Sequence, residues 1–183
     1  MLPDPLHPIV VHFPVVLSIL LPFAAAAALW SIRAGARPVR AWSVAIAFAA
    51  ALTVSAWVAV KTGEDQEERV EDVVGEARLD AHADAGKVLL YASVGVLAVL
   101  ALGLMPGDKG RMARYVGAVG TLTVAAAAFK VGMTGGDLVY KYDAASVYST
   151  PDSARAADGR GDGSAAAGKN EKGETGEREK NER

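Results

Sequence analysis

The fold of this chain is decided by a long apolar stretch near its N-terminus, LHPIVVHFPVVLSILLPFAAAAALWSI, residues 6–32. The stretch has no acidic residue, lysine or arginine. It exceeds the ~20 residues that a helix needs to cross about 30 Å of hydrocarbon. Residues 9–32 are therefore predicted to form a membrane-spanning helix. Because no lysine or arginine precedes the stretch, we expect a retained span and not a cleaved signal peptide.

Three further apolar segments follow, at residues 41–60, 86–106 and 115–136. Each has about the length of a membrane span, and in lipid an open chain satisfies its backbone groups only as a helix. The predicted fold class is all-α, a four-helix antiparallel transmembrane bundle in one domain, residues 1–148. Residues 149–183 are polar and charged with almost no large apolar side chain, so they are predicted to form a disordered tail.

The charges of the connecting segments predict how the bundle is oriented. Basic residues dominate the first and third connectors, whereas the second connector carries nine acidic residues between Glu64 and Asp84. Short basic connectors face the cytoplasm, so both termini and the acidic connector are expected outside the cytoplasmic (inner) membrane. Trp42 is predicted to lie in the aromatic belt at the inner interface.

The acidic connector is predicted to contain a short amphipathic helix at the outer end. Its apolar side chains recur at helical spacing with acidic residues opposite; they are Val70, Val73, Val74 and Ala77. Gly75 is expected to end or cap this helix because glycine readily adopts positive φ.

Composition excludes several classes of function. The chain has no cysteine, so disulfides, thiolate metal sites and iron–sulfur clusters are excluded. The formal net charge of −2 argues against a nucleic-acid partner. We find no pairing of a nucleophile with a general base in the sequence, so no enzymatic reaction is predicted. The lipid bilayer is the expected partner, with a respiratory or redox protein as a possible second one.

The three histidines, His7, His12 and His82, are all predicted to lie at the outer end of the bundle. Pro14 removes one backbone hydrogen bond and is expected to kink the first span near His12. The leading hypothesis is that His12 and His82 supply the axial imidazoles of haem b for electron transfer. Lys130 lies within the fourth span, and we expect it either to extend its amine to the interface or to pair with an anion such as a haem propionate.

Two alternatives stay open. In one, His7, His12 and His82 bind a divalent zinc or copper ion together with a carboxylate, Asp84, Glu64 or Asp65. In the other, the histidines cap helix ends and hydrogen-bond to backbone, and the protein is a non-catalytic membrane scaffold or assembly subunit. A further alternative is that the histidines relay protons, for which imidazole is suited.

The residues also resemble a known family. LHPIVVHFPVVL at residues 6–17 is similar to the opening signature of bacterial membrane proteins catalogued as domain of unknown function 2231. Thr62-Gly63-Glu64 and the segment GGDLVY, residues 135–140, resemble later parts of the same pattern. The resemblance covers roughly residues 5–148. It implies a four-span inner-membrane domain without an established activity, some relatives of which stand beside cytochrome-like modules.

Overall fold

The computed structural model describes residues 6–148, and within this range the chain is helical. One compact unit extends to Val147. The helices are, in order, α1 (His7–Val10), α2 (His12–Arg33), α3 (Pro38–Glu64), α4 (Glu67–Val74), α5 (Glu76–Leu102) and α6 (Gly107–Tyr140), followed by a 3₁₀ helix, Ala144–Tyr148. The predicted disordered tail, residues 149–183, lies outside the described residues.

The predicted all-α bundle is confirmed. Four helical segments of the described chain are long and apolar enough to cross a membrane: His7–Arg33, Pro38–Glu64, Glu76–Leu102 and Gly107–Tyr140. The last two begin well before the apolar segments predicted from residues 86 and 115. Alanine, glutamate, lysine and arginine are good helix formers, so these helices continue through charged sequence until a glycine or proline interrupts them.

The four long helices pack in a ring. The main contacts join α2 to α3, α3 to α5, α5 to α6, and α6 back to α2. In this arrangement α2 and α5 lie diagonally across the bundle. Small residues line much of the core, which lets the helix backbones approach closely; among the buried ones are Ala25, Ala45, Ala49, Ala56 and Ala128.

The first span loses its regular helical hydrogen bonding near its start, one turn before Pro14. Pro14 has no N–H to donate to the carbonyl of Val10, and the helix is interrupted at Val11, between α1 and α2. His7 therefore belongs to a separate short turn of helix, while His12 begins the long one. Val11 itself keeps helical dihedral angles, φ −60° and ψ −21°, so the chain continues in the same sense across the interruption.

The predicted acidic helix is confirmed as α4, and Gly75 ends it at a φ of +82°. Val70 and Val74 are buried, as expected of an apolar face. Val73 was predicted on the same face, but its side chain is 44% exposed. Ala77 falls beyond the glycine, in α5, because the positive φ of Gly75 starts a new helix there.

The structure corrects one feature of the predicted aromatic belt. The Trp42 side chain does not face lipid; it is fully buried in the bundle, and its Nε1–H donates to the carbonyl of Leu100 at 2.8 Å. Arg114 donates to the neighbouring carbonyl of Gly103 at 2.6 Å. Both bonds satisfy carbonyls at the end of α5, where intrahelical donors run out. We call this end of the bundle, with Trp42, Gly103 and Arg114, the arginine end.

Candidate functional site

Two of the three histidines meet at the other end of the bundle. The ring centres of His7 and His82 are 6.4 Å apart, and the ring planes are nearly perpendicular, at 85°. Both side chains are partly buried. His7 stands just before α2 and His82 is in the first part of α5, so the rings approach from diagonal helices. We call this end the histidine end.

The His7 ring is fixed by the end of α3. Its Nδ1 lies 3.2 Å from Oγ1 of Thr62. A Cβ on Gly63 would stand 3.1 Å from Cε1 of His7, which is closer than ordinary van der Waals contact. The absence of a side chain at Gly63 is therefore what allows the imidazole to lie against the helix.

The His82 ring is fixed in the same way by the end of α6. Its Nδ1 lies 2.9 Å from Oγ1 of Thr134. A Cβ on Gly135 would stand 3.0 Å from Cε1 of His82. Each imidazole thus has one threonine and one glycine as neighbours, and the two sets come from different helices.

This similarity extends along both helical hairpins, α2–α3 and α5–α6. The sequence Thr-Gly-x-Asp occurs at residues 62–65 and again at 134–137. Eleven positions after His7 and His82 stand Ser18 and Ser93, and both serines are buried. The buried faces of α3 and α6 also match in spacing; they are positions 45, 49, 52 and 56 in α3 and 117, 121, 124 and 128 in α6. The hairpins are therefore equivalent halves arranged about an approximate two-fold axis along the bundle.

The structure does not bring the other predicted ligands to this pair. His12, Asp84 and Lys130 are exposed. Within residues 6–148, no group of three or more His, Cys, Asp or Glu side chains could hold a metal ion. Five residues of helix turn a side chain by about 140°, so His12 points away from the direction of His7. The pairing of His12 with His82 is therefore replaced by that of His7 with His82.

The carboxylates and Lys130 have other surroundings. Glu64 pairs with Lys61 at 2.7 Å on the exposed surface. Lys130 contributes its backbone carbonyl, which accepts from Oγ1 of Thr134 at 3.2 Å, while its side chain is exposed. Beyond the fourth span, the hydrogen bond from Lys141 to Asp137 raises the pKa of that lysine.

Arg78 joins three segments of the histidine end. Its Nη1 donates to the carbonyl of Val74, the last residue of α4, at 2.9 Å. Its guanidinium carbon lies 4.0 Å from the centre of the Tyr142 ring, a cation–π contact with the segment after α6. These contacts place α4 beside the start of α5.

Thr62 and Thr134 are the site residues that the sequence reasoning missed. Thr62 lies in a segment that carries the family resemblance and Thr134 directly precedes another, residues 135–140, but neither threonine was assigned to a histidine. The repeated Thr-Gly-x-Asp, together with two histidines each eleven positions before a serine, is the signal that identifies them. It becomes clear only when the two halves of the chain are aligned with each other.

Fold and site together define a multi-pass α-helical membrane protein with a paired-histidine site. Comparison with protein-family models, with curated proteins and with solved structures found no match to this chain. The resemblance to the domain of unknown function 2231 family therefore stays a prediction.

Proposed function

We propose that this protein binds haem b between His7 and His82 and transfers electrons at the surface of the cytoplasmic membrane. The observation that carries the proposal is the convergence of two imidazoles from diagonal helices, with ring centres 6.4 Å apart. Cofactor sites in helical bundles are commonly built from side chains of facing helices. Haem iron accepts histidine as an axial ligand.

The separation of the rings supports a shared metal. A metal–imidazole nitrogen bond is about 2.0–2.1 Å long, so a metal lies roughly 3 Å from the centre of each ring that binds it. His7 and His82, whose ring centres are 6.4 Å apart, would therefore both be within reach of one metal between them. Because each ring can turn about its own metal–nitrogen bond, the angle of 85° is compatible with such ligation.

The number of donors favours haem over a zinc or copper ion. The pair offers two imidazoles, and haem brings its own porphyrin ligands, so His7 and His82 would be sufficient as protein ligands. Protein zinc sites usually take three or four protein ligands, and the described residues place no third ligand with the pair. Haem would supply one-electron chemistry, while His7 and His82 would hold the iron and the surrounding helices would limit access of water.

The proposal includes the side of the membrane on which the histidine end lies. Basic residues stand at the arginine end and acidic residues at the histidine end, which supports a site facing away from the cytoplasm. A reporter fused after residue 150 and active only outside the cytoplasm is the expected result. A reporter active inside the cell would contradict this orientation and with it an outward-facing redox partner.

The test is an absorption spectrum of the purified full chain, followed by titration with haem in detergent. We expect a Soret band that shifts on reduction, and an affinity at least about 100-fold lower in His7→Ala and His82→Ala. His12→Ala is the matched control, since it removes the same type of side chain from an exposed position five residues away. Equal spectra in all three variants would contradict the proposal.

A structural role for the histidines gives a different pattern. Each ring contacts the other and bonds to its own hairpin, which would itself tie the halves together. In that case the wild-type protein binds no haem, and His7→Ala and His82→Ala lower only the unfolding temperature. Elemental analysis of the same preparation identifies zinc or copper, if one of these is the bound metal.

A further inference from the structure

We infer that Thr62 and Thr134 are positioning residues, each of which accepts the Nδ1–H of its histidine and leaves Nε2 as the nitrogen that binds a ligand. The purpose of this arrangement rests on the proposed function, whereas the arrangement itself rests on hydrogen-bond geometry. Each threonine hydroxyl has a single proton to donate.

The proton of the Thr62 hydroxyl is already committed. Oγ1 of Thr62 lies 3.0 Å from the carbonyl oxygen of Val58 and 3.1 Å from that of Ala59. Carbonyl oxygens only accept, so the hydroxyl must donate toward them. If the proton turned to His7 instead, the hydroxyl oxygen would face two carbonyl oxygens with no hydrogen between them.

The bond between Thr62 and His7 must therefore be donated by the imidazole. With the hydroxyl acting as acceptor, Nδ1 carries the hydrogen, and in the neutral ring Nε2 carries the lone pair.

The second half of the bundle has the same pattern of hydrogen-bond donors and acceptors. Oγ1 of Thr134 lies 3.0 Å from the carbonyl oxygen of Val131 and 3.2 Å from that of Lys130. Its hydroxyl proton is thus committed to α6, and His82 donates from Nδ1. Two independent hairpins reach the same proton arrangement with the same residue types, which a single accidental contact would not explain.

This arrangement matches the way in which proteins prepare a metal-binding histidine. Such a histidine usually donates its other ring N–H to a fixed acceptor, which sets the tautomer and the ring orientation. Loss of that acceptor typically costs 10–100-fold in metal affinity. Gly63 and Gly135 complete the unit, because they let each ring approach the helix that carries its threonine.

The test is ¹⁵N NMR of the full chain, labelled at histidine only, in detergent and without added haem. We expect His7 and His82 to be protonated at Nδ1 and unprotonated at Nε2, with the exposed His12 as internal reference. Thr62→Val should alter the tautomer signal of His7 and leave that of His82 unchanged. Thr134→Val should do the reverse, and Thr62→Ser should restore the wild-type signal.

The control variant is Thr53→Val. Thr53 lies on the same helix, and its hydroxyl donates to the carbonyl of Ala49 in the same manner, but it does not bond to a histidine in the described structure. Its replacement should leave all three histidine signals unchanged. Protonation at Nε2 in the wild type, or a His7 signal that does not respond to Thr62→Val, would overturn the inference.

A second measurement separates this inference from the proposed function. If haem binds, Thr62→Val and Thr134→Val should each weaken it by about 10–100-fold, and Thr53→Val should not. If haem does not bind but the tautomers are as expected, the proposed cofactor is wrong and the positioning role stands. If haem binds with equal affinity in the threonine variants, the positioning role is wrong and the cofactor stands.

Discussion

The two ends of the bundle use equivalent positions of the hairpins in different ways. At the histidine end, both halves carry the same set, a histidine, a threonine and a glycine. At the arginine end, position 42 corresponds to position 114, since 62 corresponds to 134, yet one is tryptophan and the other arginine. Both Trp42 and Arg114 bond to carbonyls at the end of one helix, α5. The symmetric end has the features of a ligand site, and the asymmetric end has those of a packing and capping cluster.

The largest expected effect tests the arginine end. Trp42→Ala removes a fully buried indole and should lower the free energy of unfolding by about 3–5 kcal/mol. This change in the free energy of unfolding is measured by monitoring unfolding in detergent with circular dichroism. Trp42→Phe keeps most of the side-chain volume and should lower the free energy of unfolding by less. The ¹⁵N signals of His7 and His82 should not change in the Phe variant; a change would show that the two ends of the bundle are coupled.

An intermediate effect is expected from added methyl groups at the histidine end. Gly63→Ala and Gly135→Ala each place a Cβ about 3 Å from a histidine ring. We expect the rings to be displaced from Thr62 and Thr134. Compared with a glycine-to-alanine change that creates no close contact, each variant should lower the free energy of unfolding by about 1–3 kcal/mol.

Gly132→Ala provides the matched control on α6, because a Cβ there would meet no atom within 4 Å. It should be neutral or slightly stabilising, since alanine favours a helix more than glycine does. Equal stability and equal histidine signals in Gly132→Ala and Gly135→Ala would show that contact with the ring is unimportant.

The smallest effect tests the equivalence of the two halves in the middle of the bundle. Ser18 and Ser93 are buried, and each hydroxyl donates to a carbonyl of its own helix, at 2.6 and 2.7 Å. Replacement by alanine removes one such bond, so each should cost about 1 kcal/mol or less. Similar values are expected for both sites. Values that differ by more than about 1 kcal/mol would restrict the symmetry to the histidine end.

Hydropathy was sufficient to predict the number and approximate position of the spans, because membrane crossing depends on the summed apolar character of about 20 residues. Hydropathy was not sufficient to predict which way the Trp42 side chain faces. A residue at the edge of an apolar segment can face lipid or a neighbouring helix, and segment composition does not distinguish the two. The carbonyl of Leu100 that Trp42 reaches is 58 positions away in the chain.

The candidate site was predicted in part. Histidines at the ends of apolar segments indicated a shared site, and Pro14 indicated a distortion of the first span. The sequence did not indicate that His7 would be the histidine in contact with His82, because that contact depends on which helices lie diagonally in the bundle. Thr62 and Thr134 could have been found by aligning the two halves, but their bonds to the histidines follow from helix packing.

The sequence alone determined that this chain forms four apolar helices with a basic end and an acidic end, because these properties are local sums over neighbouring residues. Only the tertiary structure decided that His7, and not His12, stands opposite His82, and that a threonine holds each ring. Those relations join residues more than 50 positions apart, and they depend on the packing of four helices around a common axis.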